Sequence, residues 1–192
     1  MQNKINDIIA ESIEVKKKVL EDKQIKSTVE KIVNDMVAAL KQGNRIYFCG
    51  NGGSAADAQH LAAEFSGRFY LDREALPSEA LHCNTSYMTA VANDYSYDVI
   101  YARLIKGIGL KGDFLVGLST SGNSANIVKA FEVAREKGIK TVGFTGDTGG
   151  KMKDLSDYLI NVPSKNTPRI QESHITIGHI VCELVEAEYF KK

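Results

Sequence analysis

The sequence holds no tryptophan, three prolines and three cysteines in 192 residues. Cys49, Cys83 and Cys182 are odd in number and far apart. That argues against a disulfide scaffold and against a cysteine-based zinc site, and suits a reducing cytoplasm. Neither sign of charge is in excess: 24 Lys and Arg face 24 Asp and Glu, for a formal net charge of zero. A global basic field that would recruit nucleic acid or an anionic membrane is therefore missing. No apolar run approaches the roughly 18 residues of a membrane span. The opening Met1-Gln2-Asn3-Lys4-Ile5-Asn6-Asp7 carries no apolar signal-peptide block. What remains is a soluble globular composition, 43% hydrophobic and 25% charged, in a length that suits one domain.

Ile5, Ile8, Ile9, Ile13 and Leu20 recur at helical spacing and predict an amphipathic helix over 3–21. Ser27, with Glu30 three residues later, reads as a capping box. It would open a second helix marked by Val29, Ile32, Val33, Met36, Val37 and Leu40 and stopped by Gly43. Both precede the first strand, so residues 1–43 are expected to form a helical segment that packs on a partner chain. Residues 44–192 are expected to form the α/β core of the same single domain. Strands at 45–49, 79–83, 114–118, 141–145 and 159–162 alternate with helices at 54–65, 86–92, 98–109, 124–136 and 169–190. That alternation predicts a doubly wound, mostly parallel sheet flanked by helices.

In such a sheet ligands bind beyond the carboxyl ends of the strands, so the loops there carry the functional expectations. The first loop, Gly50-Asn51-Gly52-Gly53-Ser54-Ala55, fits a relaxed dinucleotide pattern. No acidic residue ends the following strand to hold a ribose, and a tight turn explains the glycines as well. The second loop supplies four hydroxyls in six residues, from Ser119, Thr120, Ser121 and Ser124, with Gly122 between them and a helix opening at Ser124. A helix N-terminus offers free amides and the positive end of its dipole. Four hydroxyls exceed what an N-cap needs, which points to a phosphate. The third loop, Gly146-Asp147-Thr148-Gly149-Gly150-Lys151, fails as a phosphate-binding P-loop because Thr145 and Met152 occupy its required positions. It reads as a turn.

His60 and Glu64 stand four residues apart and share one helix face. The final helix carries Gln171, His174 and His179. These residue types serve a zinc ion or a proton-transfer pair equally well. Gln171 and His179 are separated by about 12 Å along a straight helix. To meet one ion they would need a kink near Gly178 or a neighbouring subunit. Asn93-Asp94 is expected in a turn, and Arg68 on the solvated surface.

The run from Cys49 to His60 resembles the opening of the sugar-isomerase (SIS) domain of phosphoheptose isomerases. Glu64 with Ser66-Gly67-Arg68, Asn93-Asp94-Tyr95, Ser119 through Asn126, and Arg169-Ile170-Gln171-Glu172 with His174 and His179 continue it in order, over essentially the whole chain. The resemblance implies an α/β SIS fold and an aldose–ketose isomerase. Its reaction would convert sedoheptulose 7-phosphate to D-glycero-D-manno-heptose 7-phosphate through an enediol. The product feeds bacterial ADP-heptose synthesis, as for lipopolysaccharide core or other surface glycans. It implies a cytoplasmic homotetramer with active sites between subunits and one zinc held by His60, Glu64, Gln171 and His179. It also implies substrate contacts at Asn51, Gly52, Gly53, Glu64, Asn93, Asp94, Ser119, Thr120, Ser121, Ser124 and Gln171. Glu64 is then the base for the carbon-bound proton and His179 the acid–base partner at the oxygens. Asn84 stands where relatives often carry Asp, which bears on the sugar. Rival readings are a non-catalytic SIS protein that binds the replication initiator DnaA, an isomerase or sensor for another sugar phosphate, and a nucleotide-binding protein.

Overall fold

The computed structural model describes residues 1–191. Two helices come first, α1 (Gln2–Glu21) and α2 (Lys23–Lys41). There follow β1 (Ile46–Gly50), α3 (Gly53–Ser66), β2 (Ser78–Ala80), α4 (Thr85–Asp94) and, after a short 3₁₀ turn at Tyr97–Val99, α5 (Ile100–Ile108). The chain continues through β3 (Phe114–Leu118), α6 (Ala125–Glu136), β4 (Lys140–Thr145), a second 3₁₀ turn at Gly150–Leu155, β5 (Tyr158–Asn161) and α7 (Thr167–Tyr189).

The five strands pair in the order β2-β1-β3-β4-β5, and every pairing is parallel. Strand alternation sorts the core into two layers. Ile46 and Phe48 of β1, with Phe114, Val116, Phe144 and Ile160, face α2, α3 and α7. Tyr47, Cys49 and Leu115 face α4, α5 and α6. The chain leaves β1 outward to β2 and then returns past β1 to β3, so the winding reverses between β1 and β3. The loops that follow those two strands flank the topological switch point, where open α/β sheets hold ligands.

Three sequence expectations are corrected here. The helix α2 is not opened by a Ser27–Glu30 box. It begins at Lys23 and is capped by Asp22, whose carboxylate accepts from Gln24 N at 2.8 Å and Ile25 N at 3.0 Å. Asp caps as well as Ser, and starting there brings Ile25 into the buried stripe. Nor does α2 await a partner: Ile32, Met36 and Leu40 are buried against the sheet of their own chain. By contrast α1 buries only Val15 and leaves Ile5, Ile8, Ile9, Ile13 and Leu20 between 46% and 69% exposed. Finally, Asn93 and Asp94 lie in the last turn of α4 rather than in a loop. No helix among the described residues is long and apolar enough to cross a membrane.

His174 belongs to this core and not to a site. It is fully enclosed, packs edge-on to Phe144, and places Nε2 3.0 Å from the Thr145 carbonyl. A carbonyl only accepts, so Nε2 carries the proton. Burial pushes the imidazole down to about 4, with the Thr145 bond offsetting part of that. Because this lies below the ordinary value of 6.5, the unfolded chain binds the extra proton in between. The stabilisation is complete above pH 6.5 and is lost as pH falls toward 4. The thermal unfolding midpoint should therefore decline between those pH values in the wild type and decline less in His174→Gln. Equal slopes for the two proteins would refute the assignment.

Candidate active site

Two helices build a cluster of donors. His60 and Glu64 lie on one face of α3, with Nε2 and Oε1 3.3 Å apart. His179 reaches them from α7, its Nε2 2.9 Å from Nε2 of His60 and its ring centroid 5.0 Å away. Gly178 eases the approach: a Cβ there would lie 2.6 Å from Leu61 Cδ1, so a larger residue would have to displace the buried Leu61 side chain. The helix α7 runs unbroken through Gly178, from Thr167 to Tyr189.

Gln171 sits two turns earlier on α7, about 12 Å along its axis from His179. Its Nε2 donates to Asp57 Oδ2 at 3.0 Å. A Cβ on Gly53 would lie 2.5 Å from that same Nε2. Gln171 is thus laid across the N-terminus of α3, away from His179. Asp57 was not singled out from the sequence, yet it stands one turn before His60 on the same face. Burial raises its carboxyl, and the Gln171 bond and the nearby His60 and His179 lower it by less. Its spacing to His60 and Glu64 is the signal that identifies it.

The second loop gathers its hydroxyls. Ser119 Oγ, buried, lies 2.9 Å from Ser124 Oγ and 3.5 Å from Ser121 Oγ. Ser124 is the N-cap residue of α6 but makes no side-chain cap bond. The plain capping explanation therefore fails for it, and its hydroxyl is turned into the cluster. Thr120 lies between, its carbonyl accepting from Gly146 N at 3.0 Å. The third loop is a turn, as read, and it braces the second: Lys151 N donates to Asn123 Oδ1, and Met152 N to the Gly122 carbonyl, each at 3.0 Å. The first loop joins the same place, because the Asn51 side chain bonds Asn126 in α6. Gly52 adopts φ +55°, a conformation suited to glycine, to turn the chain into α3. Asn93 and Asp94 are exposed and bond each other at 2.9 Å.

The layout matches known proteins along its full length. A family model described as the SIS domain matches residues 8–146. A phosphoheptose isomerase of Aneurinibacillus thermoaerophilus is 52% identical over 191 residues, covering 100% of this chain and 96% of that protein. The chain belongs to the phosphoheptose isomerase family. A solved phosphoheptose isomerase from Francisella tularensis superposes with TM-score 0.92 at 32% identity, covering 96% of this chain and 97% of the other. One from Neisseria gonorrhoeae gives 0.89 at 38% identity over 97% and 98%.

As a phosphoheptose isomerase family member, the chain can be tested for a metal on its own donor set. The ligand atoms of His60, Glu64 and His179 all lie within 4.8 Å of one another. Bonds of about 2.0–2.1 Å in a tetrahedral zinc site put donors roughly 3.3 Å apart. The observed separations of 2.9 and 3.3 Å are close to that edge. Two imidazoles and one carboxylate are also the borderline donors zinc takes, with a fourth position left over. The residues present fit the ion.

A buried clasp holds the wall of this cluster. Glu186, two turns past His179, accepts from Phe69 N at 2.9 Å, Tyr70 N at 2.7 Å, Leu71 N at 2.9 Å and Arg73 Nε at 2.8 Å. Arg73 in turn donates to the carbonyls of Glu64, Phe65, Gly67 and Glu74. It satisfies the last turn of α3, including the backbone of Glu64 itself. Asn84, flagged as a departure from relatives, is the N-cap of α4 and accepts from Tyr87 N at 3.0 Å. Asn and Asp serve equally there.

Proposed function

We propose that this chain interconverts sedoheptulose 7-phosphate and D-glycero-D-manno-heptose 7-phosphate, feeding ADP-heptose synthesis. The observation that carries the reading is the meeting of Glu64 and His179 across two helices. A 2-ketose becomes an aldose when a proton leaves C1 and a proton is delivered to C2. Meanwhile the O1 hydroxyl proton is removed and O2 is protonated. The Glu64 carboxylate takes the C1 proton and returns it to C2 through the enediol. His179 moves the proton between the two oxygens. Each such group contributes about 10²–10⁴-fold. A zinc ion held by His60, Glu64 and His179 would supply polarisation of the carbonyl. Ser119, Thr120, Ser121 and Ser124 hold the phosphate, with Asn51, Gly52 and Gly53 beside them and the α6 dipole behind. Asn93 and Asp94 serve the sugar hydroxyls. The three free cysteines suit the cytoplasm as the place of reaction.

We infer that the site is shared between copies. Gly53 and Glu64 are eleven residues apart on α3, about 16 Å along its axis. Phosphorus and C1 of an extended heptose phosphate are separated by eight single bonds, about 9 Å at backbone-like reach. The phosphate loops of one chain therefore serve a sugar whose C1 meets Glu64 and His179 of another. Gln171, at the phosphate end, is then the fourth metal ligand from the neighbour. The exposed apolar face of α1 supports a homotetramer, as does an adjoining groove of about 480 Å³ lined by Val19, Leu20, Ile25, Ile177, Ile180 and Leu184.

The test is turnover of sedoheptulose 7-phosphate by purified protein, with chelator and with added zinc, alongside its mass in solution. Turnover by a tetramer, lost to chelator and restored by zinc, is the expected result. A folded oligomer inactive under both metal conditions would overturn the reading. A fully active monomer would overturn the shared site.

A further inference from the structure

We propose that Asn126 and Tyr97 are positioning residues that fix the Asn51 carboxamide as a hydrogen-bond donor toward the bound sugar phosphate, an inference that rests on the isomerase reading. Asn126 is the second residue of α6 and only 2% exposed, and its side chain points across the switch point at the first loop. The two carboxamides form a reciprocal pair: Asn51 Nδ2 donates to Asn126 Oδ1 at 3.0 Å, and Asn126 Nδ2 donates to Asn51 Oδ1 at 2.8 Å. Such a pair can be drawn with both amides turned over, so its polarity needs an outside reference. Ile127 supplies one. Its main-chain N–H lies 3.0 Å from Asn126 Oδ1, and an N–H can only donate. The atom facing it is therefore the oxygen, its Asn51 partner is the nitrogen, and the remaining Asn51 atom is the oxygen.

Tyr97 completes the assignment. Its hydroxyl, from the 3₁₀ turn after α4, is 2.9 Å from Asn51 Oδ1 and so must donate. The two lone pairs of that oxygen are then both used, by Asn126 and by Tyr97, and Nδ2 has given one of its two protons to Asn126. One N–H is left for a ligand. Asn51 sits beside Gly52 and Gly53 at the entrance to α3, and Asn126 is two residues past Ser124. The free N–H thus belongs to the phosphate end of the site, where an acceptor arrives. Turned over, Asn51 would offer its carbonyl oxygen to a phosphate or hydroxyl oxygen and repel it.

Steady-state kinetics and calorimetric titration with inorganic phosphate on Tyr97→Phe, Asn126→Leu and Asn51→Ala, singly and combined, test this. Tyr97 is exposed, so Tyr97→Phe should unfold at the wild-type temperature while raising KM about tenfold, the worth of one hydrogen bond, with kcat little changed. Asn126→Leu should lose about tenfold or more in kcat/KM. Both effects should vanish when Asn51 is already alanine, because these residues act through it. Losses that simply multiply in the double variants would overturn the proposal, as would a Tyr97→Phe enzyme with wild-type KM. A wild type inactive on sedoheptulose 7-phosphate would instead sink the isomerase reading, and the same cycle in phosphate affinity would then decide. A wild type that neither turns over nor binds phosphate overturns both.

Discussion

Glu64→Gln protein is expected to turn over sedoheptulose 7-phosphate about 10²–10⁴-fold more slowly than wild type. The amide matches the carboxylate in shape and keeps an oxygen within reach of His60, now 3.3 Å away. What it loses is the ability to accept a proton from carbon. A group that acts only in the transition state lowers kcat and kcat/KM together, so KM should hold. His179→Gln should fall in the same range. Zinc content measured on each variant separates loss of the proton carrier from loss of the ion. A Glu64→Gln enzyme with full zinc and wild-type kcat would show that another residue moves the proton.

The largest expected effect on stability is at the clasp. Glu186→Ala removes the partner of three main-chain amides and of a guanidinium, and the Arg73 and Glu186 side chains are 4% and 3% exposed. Breaking a buried pair by deleting one member leaves the other charge uncompensated, at a cost of about 3–5 kcal/mol. For a chain of this size that lowers the unfolding midpoint by on the order of 10 °C at pH 7. Burial pushes the Glu186 carboxyl up, but the amides of Leu71, Tyr70 and Phe69 and the Arg73 guanidinium outweigh it and bring it down to about 2. The folded value lies below the ordinary 4.5. This contribution is therefore complete above pH 4.5 and is lost as pH falls toward 2. It begins to fail as the last of the His174 contribution is being lost. Calorimetry across pH on Glu186→Ala should show the lower limb missing. A variant that melts within a degree or two of wild type would disprove the clasp. Since Phe69 packs 6.0 Å from the His179 ring, slower turnover should accompany the loss.

The sheet and the hydroxyl-rich loop were legible because their signals are local. Buried runs such as Phe114–Leu118 and clustered hydroxyls such as Ser119 to Ser124 declare themselves within a few residues. His60 and Glu64 were legible through helical spacing. Their union with His179 was not, because it involves Leu61 packing against Gly178, a contact between positions far apart in the chain. The clasp was hidden for the same reason: Arg73 and Glu186 are 113 residues apart. The start of α2 was misplaced because Ser27 offers a good local cap. The choice of Asp22 is decided by burying Ile25 in the core. Resemblance to a family supplied what spacing could not, the grouping of His60 and Glu64 with His179 on the last helix.

The length of α3 has a consequence for mixtures of chains. Under the proposed reading, phosphate loops at one end and proton carriers some 16 Å away at the other would make each active site the joint property of two copies. A chain crippled by Ser124→Ala and a chain crippled by Glu64→Gln carry their faults at opposite ends. Assembled together, they pair sound end with sound end at some sites and concentrate both faults at others. Two inactive proteins, dissociated and reassembled as hybrids, should complement each other and recover turnover that neither possesses alone.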